Sequence, residues 1–284
     1  MNLLHQLHSP LMRRALLEAI LVGSLCGAVG AHVLLRRLPF FTLALSHATF
    51  PGVVLASIAG ASLYLGGAGA ALGLVLAVAV VGSARRLDAS AATGVALSGA
   101  FGLGVLLQSA QPGGSKDLAA FLVGDIFTVS GKDLLTTAIV GAFVVGGLAL
   151  VHKEIVFGAF DPDGAAAAGY STFLLDLAVL CAVALTVVTS IPAVGTILVV
   201  SLLVTPPLTA RLWVERVGPM MGLSASLGAA AGIGGIAASA QWGIAGGAAI
   251  TLVATALLVV SGVGLSIRAA TLPHRPSFSW DTEE

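Results

Sequence analysis

The chain reads as an all-α, polytopic membrane protein with about nine transmembrane helices. Three observations predict this class. Of 284 residues, 57% are hydrophobic and only 9% charged, with a mean hydropathy of +1.04; soluble domains carry about 25% charged residues. Apolar stretches approach the roughly 20 residues that a helix needs to cross the hydrocarbon, and they recur along the whole chain. The 36 glycines suit helices packed at close range in lipid, where small residues let backbones approach.

The elements follow in order. Residues 1–14 read as an interfacial amphipathic helix, since their apolar run is short and Arg13 and Arg14 interrupt it. The same interruption argues against a cleaved leader. Spanning helices are predicted near 15–35, 41–58, 61–82, 89–110, 133–151, 172–190, 193–210, 219–238 and 243–266, within one membrane domain of 15–270. Pro51 lies inside the second, where it kinks the helix or interrupts its hydrogen-bond ladder. Membrane proteins tolerate this where the freed carbonyl lines a cavity. Pro206 and Pro207 stand near the end of the seventh, a second place for a kink or a moving element. Gly23 and Gly27, like Gly232 and Gly235, read as packing contacts within one subunit.

Positive charge orients the bundle. With the N-terminus outside and nine alternating crossings, Arg36, Arg37, Arg85, Arg86, Lys153, Arg211, Arg216, Arg268 and Arg275 fall in the cytoplasm. Only Arg13, Arg14, Lys116 and Lys132 fall outside. Two connections exceed simple turns. Residues 111–132 contain a short apolar run on the outer face. Cytoplasmic residues 155–170 contain Asp161 as an N-cap, Pro162 at the first helical position, four alanines and Gly169 as a stop. A short helix that exposes methyl groups suits docking against another protein. The tail, 271–284, is polar and reads as disordered on the cytoplasmic side.

Formal net charge is zero and no basic patch interleaves with aromatics, which excludes nucleic acid as a partner. Cys26 and Cys181 read as small buried hydrophobes. Glu18, His32, Asp125 and Asp176 are ionisable groups within or near the membrane with bland readings: a solvated outer carboxylate, an interfacial imidazole, a cap and a structural carboxylate. His47 lies deeper. An ionisable ring in hydrocarbon is a functional-site candidate by default. Thr42, Ser46 and Thr49 form a polar stripe beside it at helical spacing.

Enzyme chemistry lacks its parts. Ser46 and His47 are consecutive and diverge by about 100° on a helix, so they form no dyad. The chain has no His-Glu-x-x-His and no Walker A sequence.

Five segments together resemble the membrane subunit of the manganese/zinc/iron-type (ABC-3) ABC transporters. They are Leu34-Leu35-Arg36-Arg37 with Leu45-Ser46-His47-Ala48-x-x-Pro51-Gly52; Gly94-x-Ala96-Leu97-Ser98; Asp117-Leu118-x-x-Phe121-Leu122-x-Gly124-Asp125-Ile126; Phe160-Asp161-Pro162 through the alanines to Gly169; and Gly195-Thr196-x-Leu198 through Pro206 to Ala210-Arg211. The resemblance covers nearly the whole chain. It implies a type II importer permease fold and a permease that moves divalent Zn, Mn or Fe as its substrate by alternating access, with no permanently bound cofactor. It implies a second copy of the permease, cytoplasmic ATPase subunits and an extracytoplasmic metal-binding protein. It assigns the path to His47 with Ser46 and Thr42. Kinking or gating falls to Pro51, Pro206 and Pro207, and ATPase coupling to Phe160, Asp161, Pro162, Ala166, Ala167 and Gly169. In one respect the sequence departs from the family: Leu43 stands where an aspartate is common, one turn before His47. Imidazole suits zinc and iron, whereas manganese prefers oxygen. A chelate or other small solute is the alternative cargo, and an intramembrane enzyme or a scaffold the alternative class.

Overall fold

A computed structural model describes residues 9–83, 89–110 and 124–271 of the chain. Nine long helices account for most of them: α1 (Pro10–Leu35), α2 (Pro39–Ile58), α3 (Leu63–Ser83), α4 (Ala89–Ser109), α5 (Gly131–Leu150), α8 (Thr172–Val194), α9 (Thr196–Arg211), α10 (Val217–Trp242) and α11 (Gly246–Thr271). Two short helices, α6 (His152–Phe160) and α7 (Pro162–Ala167), separate α5 from α8. By length and composition alone, α1, α2, α5, α8, α10 and α11 can each cross a membrane. Shorter apolar windows lie in α3, α4 and α9.

Helix ends follow local chemistry. Ser9 caps α1 by accepting from the Met12 N–H, with Pro10 in the first turn, where a missing N–H costs nothing. Residues 10–14, expected in an interfacial helix, therefore continue into α1; residues 1–8, the outer connection 111–123 and the tail 272–284 lie outside the described residues. Ser130 and Asp133 form a reciprocal capping box at the start of α5. Asp125, expected as a cap, accepts from the Phe127 N–H at a single 3-10 turn, Ile126–Thr128. Gly195, at φ +81°, is the whole connection between α8 and α9. A side chain there would be strained.

α1 and α8 form the buried centre, whereas α5 and α11 lie at the periphery and are mostly exposed. Exposed Leu135, Ile139 and Phe143 of α5 and Val259, Val260 and Val263 of α11 present the apolar face that lipid requires. α1 crosses α10 at backbone contact. A Cβ at Gly228 would lie 2.7 Å from the carbonyl carbon of Gly23, and one at Gly27 would lie 2.7 Å from that of Ser224. The Ser224 hydroxyl donates to the Gly27 carbonyl at 2.7 Å. The small residues thus pack helices within one subunit, as the sequence predicts. Cys26 is buried and Cys181 half-buried, and both are free thiols.

Two ionisable groups lie deeper than expected. His32, read as an interfacial imidazole, is only 1% exposed because α1 is covered on that side by the start of α6. Glu18, read from the sequence as a solvated outer carboxylate, is 1% exposed and accepts from the Thr137 hydroxyl at 2.7 Å. The reason is the earlier start of α1, which puts Glu18 more than two turns inside the helix and against α5. Alternating crossings gather Arg36, Arg37, Lys153, Arg211, Arg216 and Arg268 at one end of the bundle, the end that the positive-inside reading assigns to the cytoplasm.

Candidate functional site

α2 runs unbroken through Pro51, which is buried. Proline has no N–H, so the carbonyl four residues earlier, that of His47, loses its helical partner. Imidazole and freed carbonyl therefore belong to the same residue. The neighbouring helices make room for this turn. A Cβ at Gly104 of α4 would meet the Phe50 ring and come within 3.2 Å of Pro51 Cδ, and one at Gly66 of α3 would lie 2.5 Å from Ala56 Cβ.

The His47 ring is half-buried and stands edge-on to Phe101 of α4, with centroids 5.4 Å apart and planes at 80°. Leu43, one turn earlier, is half-buried too. Both side chains thus lie on a partly open face of the subunit, on the side of α4. Thr42 and Ser46 do not join them. Both are fully buried, and their hydroxyls donate to the Pro39 and Leu43 carbonyls at 2.7 and 2.9 Å. The Thr49 hydroxyl likewise donates to the Ser46 carbonyl at 2.7 Å. The stripe predicted from spacing exists, but it points into the subunit while His47 points outward. Among the described residues, no three His, Cys, Asp or Glu side chains gather as a metal-holding group.

Thr49 reaches a different feature. A cavity of about 270 Å³ opens between α2, α3, α5 and α8, lined by Thr49, Val53, Leu63, Tyr64, Gly67, Gly124, Asp133, Val188, Ile191 and Pro192. Apart from Thr49, its polar side chains are a bonded pair, the Tyr64 hydroxyl donating to Asp133 at 2.8 Å. Sequence reasoning missed Tyr64 and Asp133. The Ser-x-x-Asp spacing of Ser130 and Asp133 was the available signal, and it points to a cap rather than to a cavity.

The other prolines sit within continuous helices. Pro206 and Pro207 lie inside α9. A Cβ at Gly30 of α1 would lie 2.7 Å from the Pro207 ring and 2.9 Å from the carbonyl carbon of Leu203, whose partner Pro207 removes. The absent Cβ lets α1 cover that carbonyl.

At the end of the bundle that holds Lys153 and Arg211, α6 and α7 form a bent segment. Asp161 accepts from the Gly164 N–H at 2.8 Å, with Pro162 in the first turn. The stop is a paired one: Gly169, at φ +89°, donates to the Ala166 carbonyl at 3.0 Å, and Tyr170 donates to that of Ala165 at 3.0 Å. Ala165 is fully buried, whereas Phe160 is 67% exposed. Pro162, Ala166, Ala167 and Gly169 are exposed as well. The segment therefore holds its shape through its caps and one buried methyl, leaving an outer surface that is apolar except for the exposed Asp161 and Asp163 at its bend.

Residues 8–264 match the ABC 3 transport family. The manganese transport system membrane protein MntC of Halalkalibacterium halodurans is 34% identical over 250 residues, covering 88% of this chain and 86% of the relative. The manganese import system permease protein ScaB of Streptococcus parasanguinis is 33% identical over 258 residues and 91% of each chain. The solved structure of PsaBC from Streptococcus pneumoniae in complex with Fab superposes with a TM-score of 0.82 at 30% identity, over 91% of this chain and 93% of that one.

Proposed function

The chain belongs to the ABC 3 transport family, and from that premise we propose that it is the membrane subunit of an ATP-driven importer for a divalent transition metal, Mn, Zn or Fe. What carries this reading is similarity over nearly the whole chain to permeases named for manganese transport and import. The α6–α7 segment supports it with an exposed apolar surface at the cytoplasmic end. ATP would be hydrolysed in a separate subunit docked there, so this chain does no chemistry itself. An extracytoplasmic metal-binding protein would deliver the cargo, and a second copy of the permease would complete the path.

His47 is the cargo contact in this reading. It lies on a partly open face, so a second copy could bring two imidazoles together, each beside a carbonyl freed by Pro51. Thr42 and Ser46, held inward, would support α2 rather than touch cargo. Pro51, Pro206 and Pro207 would shape the moving helices. Leu43 leaves this set short of carboxylate. A chelate that brings its own ligands is therefore the second reading.

Uptake into proteoliposomes containing this chain, its ATPase and its binding protein tests the proposal. ATP-dependent entry of Mn²⁺, Zn²⁺ or Fe²⁺, lost in His47→Ala with the assembly intact, is expected. Entry of none of Mn²⁺, Zn²⁺ and Fe²⁺ overturns the metal reading, and entry unchanged in His47→Ala makes His47 a packing residue.

A further inference from the structure

The α1–α2 turn contains the least expected backbone in the described residues. Arg37 is their only non-glycine residue at positive φ, +56°. The conformation ends α1 with a paired cap: Leu38 donates to the Val33 carbonyl at 2.9 Å and Arg37 to that of Leu34 at 3.2 Å. Glycine usually occupies this position because a Cβ is strained there. Pro39 then opens α2 with a fixed φ. Three residues therefore join α1 to the helix that carries His47, and two hydrogen bonds and a proline ring stiffen the joint.

Arg36 projects from this joint and is mostly buried, with its side chain 11% exposed. Its guanidinium pairs with Asp176 in the first turns of α8. It also donates to the Ile155 carbonyl of α6 at 3.3 Å. One turn back on α1, the buried His32 ring meets the His152 ring at the start of α6, with centroids 6.0 Å apart. Two elements, α6 and α8, thus converge on a single planar cation carried at the end of α1. One of them, α6, leads directly into α7.

We propose that Arg36 is the positioning residue that ties the α6–α7 segment to the α1–α2 joint, so that displacement of the docking segment moves the foot of α2 and, with it, His47. The inference rests on the transport reading above. A guanidinium suits this role because its fork holds a carboxylate and a carbonyl at once in a fixed plane, which an ammonium does not. Rigidity on the receiving side comes from the Arg37 cap. A flexible joint would absorb the displacement before it reached α2.

The measurement is Mn²⁺ moved per ATP hydrolysed, with the chain, its ATPase and its binding protein reconstituted together. Arg36→Gln is expected to keep ATP hydrolysis but to lower this ratio about tenfold, the scale of a single coupling contact. Arg36→Lys is expected to recover part of the ratio, because it keeps the charge without the fork. Asp176→Asn is the second variant, needed if Arg36→Gln does not assemble. Its carboxylate side is 57% exposed, so folding depends on it little, and it is expected to lower the ratio in the same direction. A purely structural role would reduce the amount of assembled complex and leave the ratio alone. Wild-type ratios in assembled Arg36→Gln, or in Asp176→Asn where Arg36→Gln does not assemble, overturn the inference while leaving the transport reading standing. Where wild type moves Zn²⁺ or Fe²⁺ in place of Mn²⁺, the same ratio is read with that ion; uptake of none of the three by wild type removes both.

Discussion

If α7 is the surface on which the ATPase rests, one charge placed there should release the partner without disturbing the permease. Ala166 and Ala167 are exposed, so a glutamate at either position extends into water, and its repulsion from exposed Asp163 one turn earlier costs only a few tenths of a kcal/mol. Replacing alanine there costs a few tenths of a kcal/mol in helix propensity at most. Covered by a docked protein, the same carboxylate is a buried charge without a partner, a penalty of about 3–5 kcal/mol. That corresponds to about a hundred- to several-thousandfold weaker binding. The assay is titration of the ATPase onto the chain in lipid nanodiscs, with the melting temperature of the free chain measured in parallel. Ala166→Glu and Ala167→Glu should each lose binding and melt like wild type. Ala165→Glu is the contrasting variant: Ala165 is fully buried, 3.9 Å from where a Gly158 Cβ would lie, so a charge there should lower the melting temperature itself. Wild-type ATPase affinity in both Ala166→Glu and Ala167→Glu would refute the assignment of this surface.

Two further outcomes concern stability in lipid. Gly228→Ala should lower the melting temperature markedly, because the added Cβ would sit 2.7 Å from the Gly23 carbonyl carbon where ordinary contact begins at 3.4 Å. Backbone on both sides must then separate, at a cost of about 1–3 kcal/mol; unchanged melting would show that the α1–α10 crossing is looser than described. Thr137→Val should cost about 1–3 kcal/mol by leaving the buried Glu18 oxygen without its donor, whereas the double variant with Glu18→Leu should recover much of that loss. A double variant less stable than Thr137→Val would refute this account of the pair.

The helices were legible in the sequence because spanning length and hydropathy are properties of contiguous residues. Expected and observed spans agree closely for α2, α3, α4, α5 and α9. Ends set by a cap were also legible: Asp161 with Pro162, Gly169 and Asp125 each declare themselves by residue type. The start of α1 was not, because Arg13 and Arg14 suggested an interfacial segment although helix continues through both. That continuity moved Glu18 from solvent to a buried contact with Thr137, a residue 119 positions away that no local pattern connects to it. Tyr64 with Asp133, and Arg36 with Asp176 and Ile155, were hidden for the same reason. Each pair joins helices that only tertiary packing brings together.

The residues expected on the path show where periodicity stops being informative. Spacing placed Thr42, Ser46 and Thr49 on one face correctly, but it could not say which face the bundle covers. A hydroxyl on a helix can satisfy itself on the carbonyl three or four residues back, and all three do so. A polar stripe in a membrane helix therefore need not line a path. His47 differs because imidazole cannot fold back in this way, and because Pro51 removes the partner of its carbonyl. Two donors of different hardness, a ring nitrogen and a carbonyl oxygen, thus come from one residue. Leu43 adds none. If the proposed second copy meets this side of α2, metal preference should accordingly depend on what that copy supplies, and on how far Arg36 lets the foot of α2 move, more than on any ligand set within one subunit.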